Sequence, residues 1–395
     1  MYLNLNYLCD QFVFLNLKKI SYGYLKLIDA RGMEHFFGNS QSSLKANVKI
    51  NDPKFSFKLL RRGSSGLGES YINNEFETEN LPSLIELCAR NISITYRFSG
   101  FIQFSFLKNI IKKNIFSNTK PRSQKNIALH YDLGNEFFST WLDKTLTYSC
   151  GIFNSSKETL EKAQINKYNK LINLIQPKPG EKILEIGCGW GGFAEHLGKN
   201  YDIKLDCITI SKKQLLFTKS RIKQLGLNHK VNVKMMDYRD VQNKYDCIIS
   251  IEMIEAVGEK YLNKYFKTIK KNLAPGGRGA IQAIVIKDEL YDRYRNKEDF
   301  IQEYIFPGGF LPSLKSINKL SDQSGLKIDS YQLYGHHYSS TLQKWRERFL
   351  NSWDSISRQG FDINFKKMWD FYLSYCEAGF KSKNIDLIQF SLCNK

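Results

Sequence analysis

Glu185, Gly187, Gly189 and Gly191 form a Glu-x-Gly-x-Gly-x-Gly series within Lys182-Ile183-Leu184-Glu185-Ile186-Gly187-Cys188-Gly189-Trp190-Gly191-Gly192. Positions without a Cβ let a ligand press against bare backbone, and the acid beside them can accept its hydrogen bonds. The spacing is neither the Gly-x-Gly-x-x-Gly of dinucleotide turns nor a phosphate loop ending in Gly-Lys-Ser/Thr. It predicts a cofactor seat. Cys150 follows Tyr148-Ser149 with no assigned basic partner, so a packing or backbone role is expected and not covalent catalysis. His336-His337 precede Tyr338 on an expected strand, where adjacent side chains point to opposite faces. No metal site is expected there. His130 suits either a lid over the site or the start of a helix.

The elements that must position these groups are legible around them. Ile183, Leu184 and Ile186 suit a parallel strand covered on both faces, and the small and apolar residues from Phe193 to Leu197 suit the helix that follows. Further strand-like runs occur at Leu205-Ile210, Val231-Met236, Cys247-Ile251 and Ala280-Ile286, with helical patterns at Gln214-Leu225 and Tyr261-Leu273. This alternation predicts a doubly wound α/β domain. Pro275-Gly276-Gly277 stops a helix before the fifth strand. Leu314-Ser324 then reads as a helix, with strands at Lys327-Tyr334 and Leu387-Leu392. Between those two strands, Leu342-Phe380 is helical where a hairpin would suffice, and with Asp288-Pro312 it would wall a substrate pocket. The first hundred residues, with short alternating runs at Tyr24-Ile28, Ala46-Ile50 and Phe55-Leu60, read as a small mixed domain.

A chain of 395 residues that is 42% apolar implies two domains. Its net charge of +19 favours an anionic partner, either nucleic acid or an anionic membrane surface, unless it reflects only a lysine-rich surface. Between Glu86 and Asp132 there is no acidic residue, and Arg90, Arg97, Lys108, Lys112, Lys113, Lys120, Arg122 and Lys125 interleave with Phe101, Phe104, Phe106, Ile110 and Phe116. Such a helix suits a membrane surface, or an interdomain contact that buries its apolar face. The cysteines at 9, 88, 150, 188, 207, 247, 376 and 393 show no Cys-x-x-Cys spacing, which fits a reducing cytoplasm. No stretch reaches the roughly 18 apolar residues a spanning helix needs, so membrane contact is expected to be peripheral, at the inner face.

The glycine series resembles motif I of class I S-adenosylmethionine-dependent methyltransferases. Three further motifs resemble the cyclopropane-fatty-acyl-phospholipid synthase family: His130-Tyr131-Asp132-Leu133-Gly134-Asn135-Glu136-Phe137-Phe138, Thr147-Tyr148-Ser149-Cys150-Gly151-Ile152-Phe153, and Tyr304-Ile305-Phe306-Pro307-Gly308-Gly309-Phe310-Leu311-Pro312-Ser313. Gly66-Leu67-Gly68-Glu69-Ser70-Tyr71 resembles the end of that family's N-terminal domain. The resemblance implies a Rossmann-like, seven-stranded class I methyltransferase domain over 123–395 with acyl-pocket insertions at 287–313 and 339–383. A mixed lipid-binding or dimerisation domain over 1–95 and a basic apolar connector over 96–122 would precede it, and a homodimer is possible.

The implied reaction is attack of the cis double bond of a phospholipid acyl chain on the methyl of S-adenosylmethionine, followed by proton loss and ring closure. The implied base is bicarbonate, caged here by the Cys150 backbone, Glu255, Gln282, the Ile284 backbone and Tyr338. Gln282 and Ala256 stand where many members carry histidine, and glutamine cannot relay a proton near neutral pH. A methyl-branched or methylenated product is therefore the alternative to a ring. For the cofactor, the resemblance implies Tyr148 and Ser149 at the methionine end, Glu185, Gly187 and Gly189 along its middle, Thr209 and Gln214 at the ribose, and Asp237 with Tyr238 at the adenine. Asp237 could instead cap a helix and Tyr148 could be a core aromatic. Two remoter readings are a nucleic-acid methyltransferase, for which an Asn/Asp-Pro-Pro-Tyr/Phe motif is missing, and a non-catalytic lipid-binding protein, which the intact acids disfavour.

Overall fold

The computed structural model describes residues 5–98, 118–131 and 133–395, so most of the basic connector lies outside the described residues. The chain divides into two compact units, each discontinuous in sequence. The first takes the described residues of Met1–Lys112 with Lys297–Ile305 and Trp353–Asn384, and the second takes those of Lys113–Asn296 with Phe306–Ser352 and Ile385–Lys395. The expected acyl-pocket insertions are thus split, because Lys297–Ile305 and most of the helical segment after Ser352 group with the N-terminal residues.

In the first unit, β1 (Tyr24–Ile28), β2 (Glu34–Gly38), β3 (Lys45–Ile50) and β4 (Phe76–Glu77) form a sheet in the order β2-β1-β3-β4. The expected third alternating run is instead a helix, Phe55–Arg62, which buries Phe55, Ser56 and Leu60 on one side and so follows a helical repeat. Helix Ile363–Lys381 starts at Asp362, whose side chain accepts from Phe365 N at 2.8 Å. It packs on helix Leu81–Arg90, and the turn beyond it is pinned where Asn384 Nδ2 donates to Ala89 O at 2.8 Å. Tyr71 donates to Asp370 at 2.9 Å, and a Cβ on Gly68 would stand 2.4 Å from the Phe300 ring.

The second unit is a seven-stranded α/β sheet. Its strands are β5 (Lys182–Ile186), β6 (Lys204–Thr209), β7 (Val231–Met235), β8 (Tyr245–Ile251), β9 (Leu273–Ile286), β10 (Leu326–Leu333) and β11 (Ile385–Asn394), in the order β10-β11-β9-β8-β5-β6-β7. The pairs β5/β6, β6/β7, β5/β8 and β8/β9 are parallel, and β11 runs antiparallel to both its neighbours. Strand order reverses between β5 and β8, so the carboxyl ends of those two strands open the crevice in which such sheets bind ligands. Helix Leu160–Ile175, capped by Thr159 on Lys162 N, buries Leu160, Ala163, Lys167, Leu171 and Ile175 along one stripe. His336 and His337 lie in the first turn of helix Gly335–Asn351 and not on the expected strand.

Candidate active site

The glycine turn leaves β5 at the reversal point and is held by Gly187 N donating to Ile208 O at 3.0 Å. Gly187 has φ +84°, and a Cβ there would stand 2.9 Å from Met253 Cγ. Gly189 has φ +52° with nothing within 4 Å of an added Cβ, so this face of the turn is open to a ligand. Both positions need glycine, one for space and both for backbone. Glu185, 3% exposed, accepts from Cys207 Sγ at 3.3 Å. Burial pushes its carboxyl up to about 7, against the Cys207 thiol and the charge of Lys167.

Around this seat the expected cofactor residues divide. Thr209 Oγ1 donates to Gln214 Oε1 at 2.9 Å, so these two are brought together at the end of β6. Asp237 accepts from Arg239 N at 3.0 Å and caps the turn Tyr238–Asp240, and Arg239 also grips its two oxygens at 2.7 and 2.6 Å. Burial raises this carboxyl, but the guanidinium more than offsets it and holds the group below its usual range. Tyr238 is buried with its ring edge-on to Tyr265. The Tyr148 ring, half-buried, packs among Phe138, Trp141, Trp345 and Phe306. The side chain of His130 lies outside the described residues.

At the end of β8 the structure departs from the expected cage. Glu252 Oε1 accepts from Cys150 N at 2.9 Å and from Gln282 Nε2 at 2.7 Å, while Glu252 Oε2 accepts from Tyr338 OH at 2.5 Å. Three donors expected around a bicarbonate therefore converge on a carboxylate of the chain itself. Glu255 accepts from the Ile284 N–H at 2.5 Å, and its Oε2 finds no hydrogen-bond partner among the described residues. Bicarbonate does not fit: its donors are occupied, and a further anion would lie against Glu252. Of the expected cage, Cys150 N, Gln282 and Tyr338 thus meet at Glu252, and Ile284 N at Glu255.

The electrostatics separate the two acids. Burial and the neighbouring Glu252 charge push Glu255 up to about 8, opposed by the Ile284 N–H. Burial also raises Glu252, but Tyr338, Lys167, Cys150 N–H and Gln282 all pull it back. The group that accepts from three donors on both oxygens is the ionised member, and the group with an orphaned oxygen beside that charge carries the proton. Glu252 also has φ +48°, a left-handed conformation that costs a side-chain residue energy and is held where function requires it.

The supports of this carboxylate come from several elements. Gln282, 0% exposed on β9, accepts through Oε1 from Gln389 Nε2 at 2.8 Å, directly opposite on β11. That bond turns the Gln282 amide nitrogen toward Glu252. The Phe-Pro-Gly-Gly segment is tied down by Phe310 N donating to Glu255 O at 2.8 Å, and Asn118 Nδ2 spans the carbonyls of Ala256 and Gly308 at 2.9 Å each. Cys150 Sγ, 0% exposed, donates to Gly151 O at 3.1 Å, and burial pushes its thiol well up, so only its backbone serves the site. Lys167 Nζ donates to Ser149 Oγ at 2.7 Å.

Glu252, Gln389 and Lys167 were not singled out from the sequence. Each carried a signal: an acid directly after a buried strand, a glutamine inside an apolar strand, and a lysine on a helix's apolar stripe. His337 Nδ1 accepts from Phe153 N at 3.3 Å, and burial, His336 and Lys170 push it down to about 4.

The sequence model of the mycolic acid cyclopropane synthetase family matches residues 118–390. The chain is 35% identical over 346 residues to the tuberculostearic acid methyltransferase UfaA1 of Mycobacterium tuberculosis, covering 85% of this chain and 80% of that protein. It is 33% identical over 356 residues to the cyclopropane-fatty-acyl-phospholipid synthase of Escherichia coli, covering 88% and 87%. Among solved structures, the cyclopropane synthase MmaA2 from Mycobacterium tuberculosis is similar with a TM-score of 0.64 and 27% identity, over 68% of this chain and 97% of that one. The mycolic acid cyclopropane synthase CmaA1, complexed with SAH and CTAB, is similar with a TM-score of 0.63 and 26% identity, over 69% and 98%.

Proposed function

Because this chain belongs to the mycolic acid cyclopropane synthetase family and is an S-adenosylmethionine-dependent methyltransferase acting in lipid synthesis, we propose that it converts the cis double bond of an unsaturated phospholipid acyl chain into a cyclopropane, with Glu252 as the base. S-adenosylmethionine, when bound on the glycine turn, supplies an electrophilic methyl. The backbone of Gly187 and Gly189 beside Glu185 would hold it, and it would supply that methyl to the alkene with its sulfur as leaving group, so that the positive charge would pass to the acyl chain. A proton of the transferred methyl then passes to the Glu252 carboxylate, and the released pair closes the ring. The observation that carries this reading is the convergence of Cys150 N, Gln282 and Tyr338 on Glu252, beside the glycine turn at the strand-order reversal.

The donors aim the carboxylate, and the aromatic side chains of Tyr148, Phe306 and Trp345 keep water from quenching the cation. Glu255, protonated, leaves Glu252 as the charged member of the pair. The net charge of +19 supports an anionic membrane surface as the place where the phospholipid is met, and no described helix is long and apolar enough to cross a membrane.

The test is mass spectrometry of lipids from liposomes of unsaturated phospholipid incubated with enzyme and methyl-labelled S-adenosylmethionine. Gain of one CH2 with loss of the double bond and no branch is expected. A methyl branch or methylene group in place of the ring overturns the ring assignment, and label entering only added RNA or DNA overturns the lipid assignment.

A further inference from the structure

Lys167 has no part in the reaction as drawn, yet it is 0% exposed inside the second unit. A lysine in such a place is costly unless its charge is used. Its helix, Leu160–Ile175, could carry leucine there and extend the apolar stripe of Leu160, Ala163 and Leu171 without loss. Instead the ammonium is placed by Ser149 Oγ at 2.7 Å and lies 4.9 Å from the Tyr168 ring centroid. Ser149 is itself fixed, since its carbonyl accepts from Gln164 Nε2 at 2.8 Å from the same helix. The next residue, Cys150, sends its N–H to Glu252. The charged and titratable groups that act on Lys167 are Glu252 after β8, Cys150 beside Ser149, Asp143 from the loop that precedes that segment, and Glu185 on β5. Of these, Glu185 lies within β5 and Glu252 directly after β8, the two strands of the reversal point.

We propose that Lys167 is a positioning residue of the reaction: its buried ammonium, anchored on Ser149 beside Cys150, is the countercharge that keeps Glu252 ionised and ready to take the proton. The inference rests on Glu252 being the base. Three neutral donors orient Glu252, but none carries charge, and burial favours its protonation. Lys167 is the cation that acts on Glu252 and Glu185 together, and it pulls both carboxyls back from the rise that burial gives them. Burial pushes Lys167 itself down to about 8, and the acids oppose that fall, which leaves it charged at neutral pH.

The experiment compares wild type, Lys167→Met, Glu252→Gln and the double variant in full-length enzyme. Activity on unsaturated phospholipid vesicles is followed from pH 6 to 9.5, and thermal melting across the same range. In Lys167→Met the acid limb of kcat/KM moves up by about one unit or more, so the rate near pH 7 drops roughly tenfold and recovers at alkaline pH. Its melting deficit grows with pH, as an uncompensated Glu252 is forced to ionise, and that growth disappears in the double variant. An acid limb that stays at the wild-type position overturns the proposal, as does a melting deficit whose pH dependence is unchanged when Glu252 is removed. Should Glu252→Gln retain wild-type turnover, the base assignment fails instead, and the melting cycle still decides whether Lys167 and Glu252 are paired.

Discussion

Glu252 concentrates the chemistry of this protein at one backbone position. Its φ of +48° suits glycine, and holding glutamate there costs about 1–3 kcal/mol, a strain kept at the site by the donors that bind its carboxylate. Glu252→Gly should therefore preserve or raise the melting temperature while turnover falls about 10²- to 10⁴-fold, the share of a positioned base. Added formate or bicarbonate should restore part of that turnover, since Cys150 N, Gln282 and Tyr338 would be released to hold it, whereas Glu252→Gln should show no rescue. Glu255 makes a different prediction. Its folded carboxyl is raised to about 8 from 4.5, so its contribution favours the folded state below 4.5 and is lost as pH rises through about 8. Glu255→Gln should thus melt close to wild type near pH 5 and increasingly above it towards pH 9. The sequence places Glu252 three residues before Glu255, but shows neither a left-handed φ nor which of the two acids turns toward Cys150.

At the scale of elements, the strands buried on both faces were the most legible. The expected Ile183-Ile186, Leu205-Ile210, Val231-Met236 and Cys247-Ile251 fall within two residues of β5, β6, β7 and β8, because continuous apolar runs between glycine and polar breaks have few other uses. Phe55–Arg62 and the turn at His336 were misread because short segments satisfy both periods, and the choice between them is made by packing. Gln389 was invisible for a related reason: its value lies in facing Gln282 across β9 and β11, a register that no local pattern encodes. Two element-level tests follow from the loops. Gly187→Ala drives a Cβ to 2.9 Å from Met253 and strains a φ of +84°, so a loss of about 1–3 kcal/mol with weakened S-adenosylmethionine binding is expected by melting and calorimetry. Asn118→Ala leaves the half-buried carbonyls of Ala256 and Gly308 without their shared donor, and should lower kcat with little change in cofactor affinity.

The whole molecule is not a string of two domains. Helix Ile363–Lys381 buries Trp369, Phe371, Tyr372 and Phe380, and packs with helices Leu81–Arg90 and Ser64–Ile72 of the N-terminal part. A chain starting at residue 118 keeps the family motifs but strips that helix of its partners. It should bind an apolar dye and lose its cooperative melt, although every residue of the glycine turn remains. Boundaries drawn from motif positions missed this, since burial of a helix 300 residues away leaves no mark near the N-terminus. The charge of +19 belongs to this scale as well: cosedimentation with anionic vesicles should fall as salt rises from about 50 to 500 mM, because exposed charges are screened over a Debye length of about 10 Å or less above 0.1 M.

The left-handed backbone at Glu252 also bears on how such an enzyme changes over time. Codons for glutamate and glycine differ only at their second base, and glycine is the residue this φ accommodates without strain. With Glu252 as the proposed base, one nucleotide would separate a protein that carries its own base from one that takes it from the surrounding solution. The two forms would differ in their demand for dissolved anion, and growth conditions could select between them without any other change to the fold.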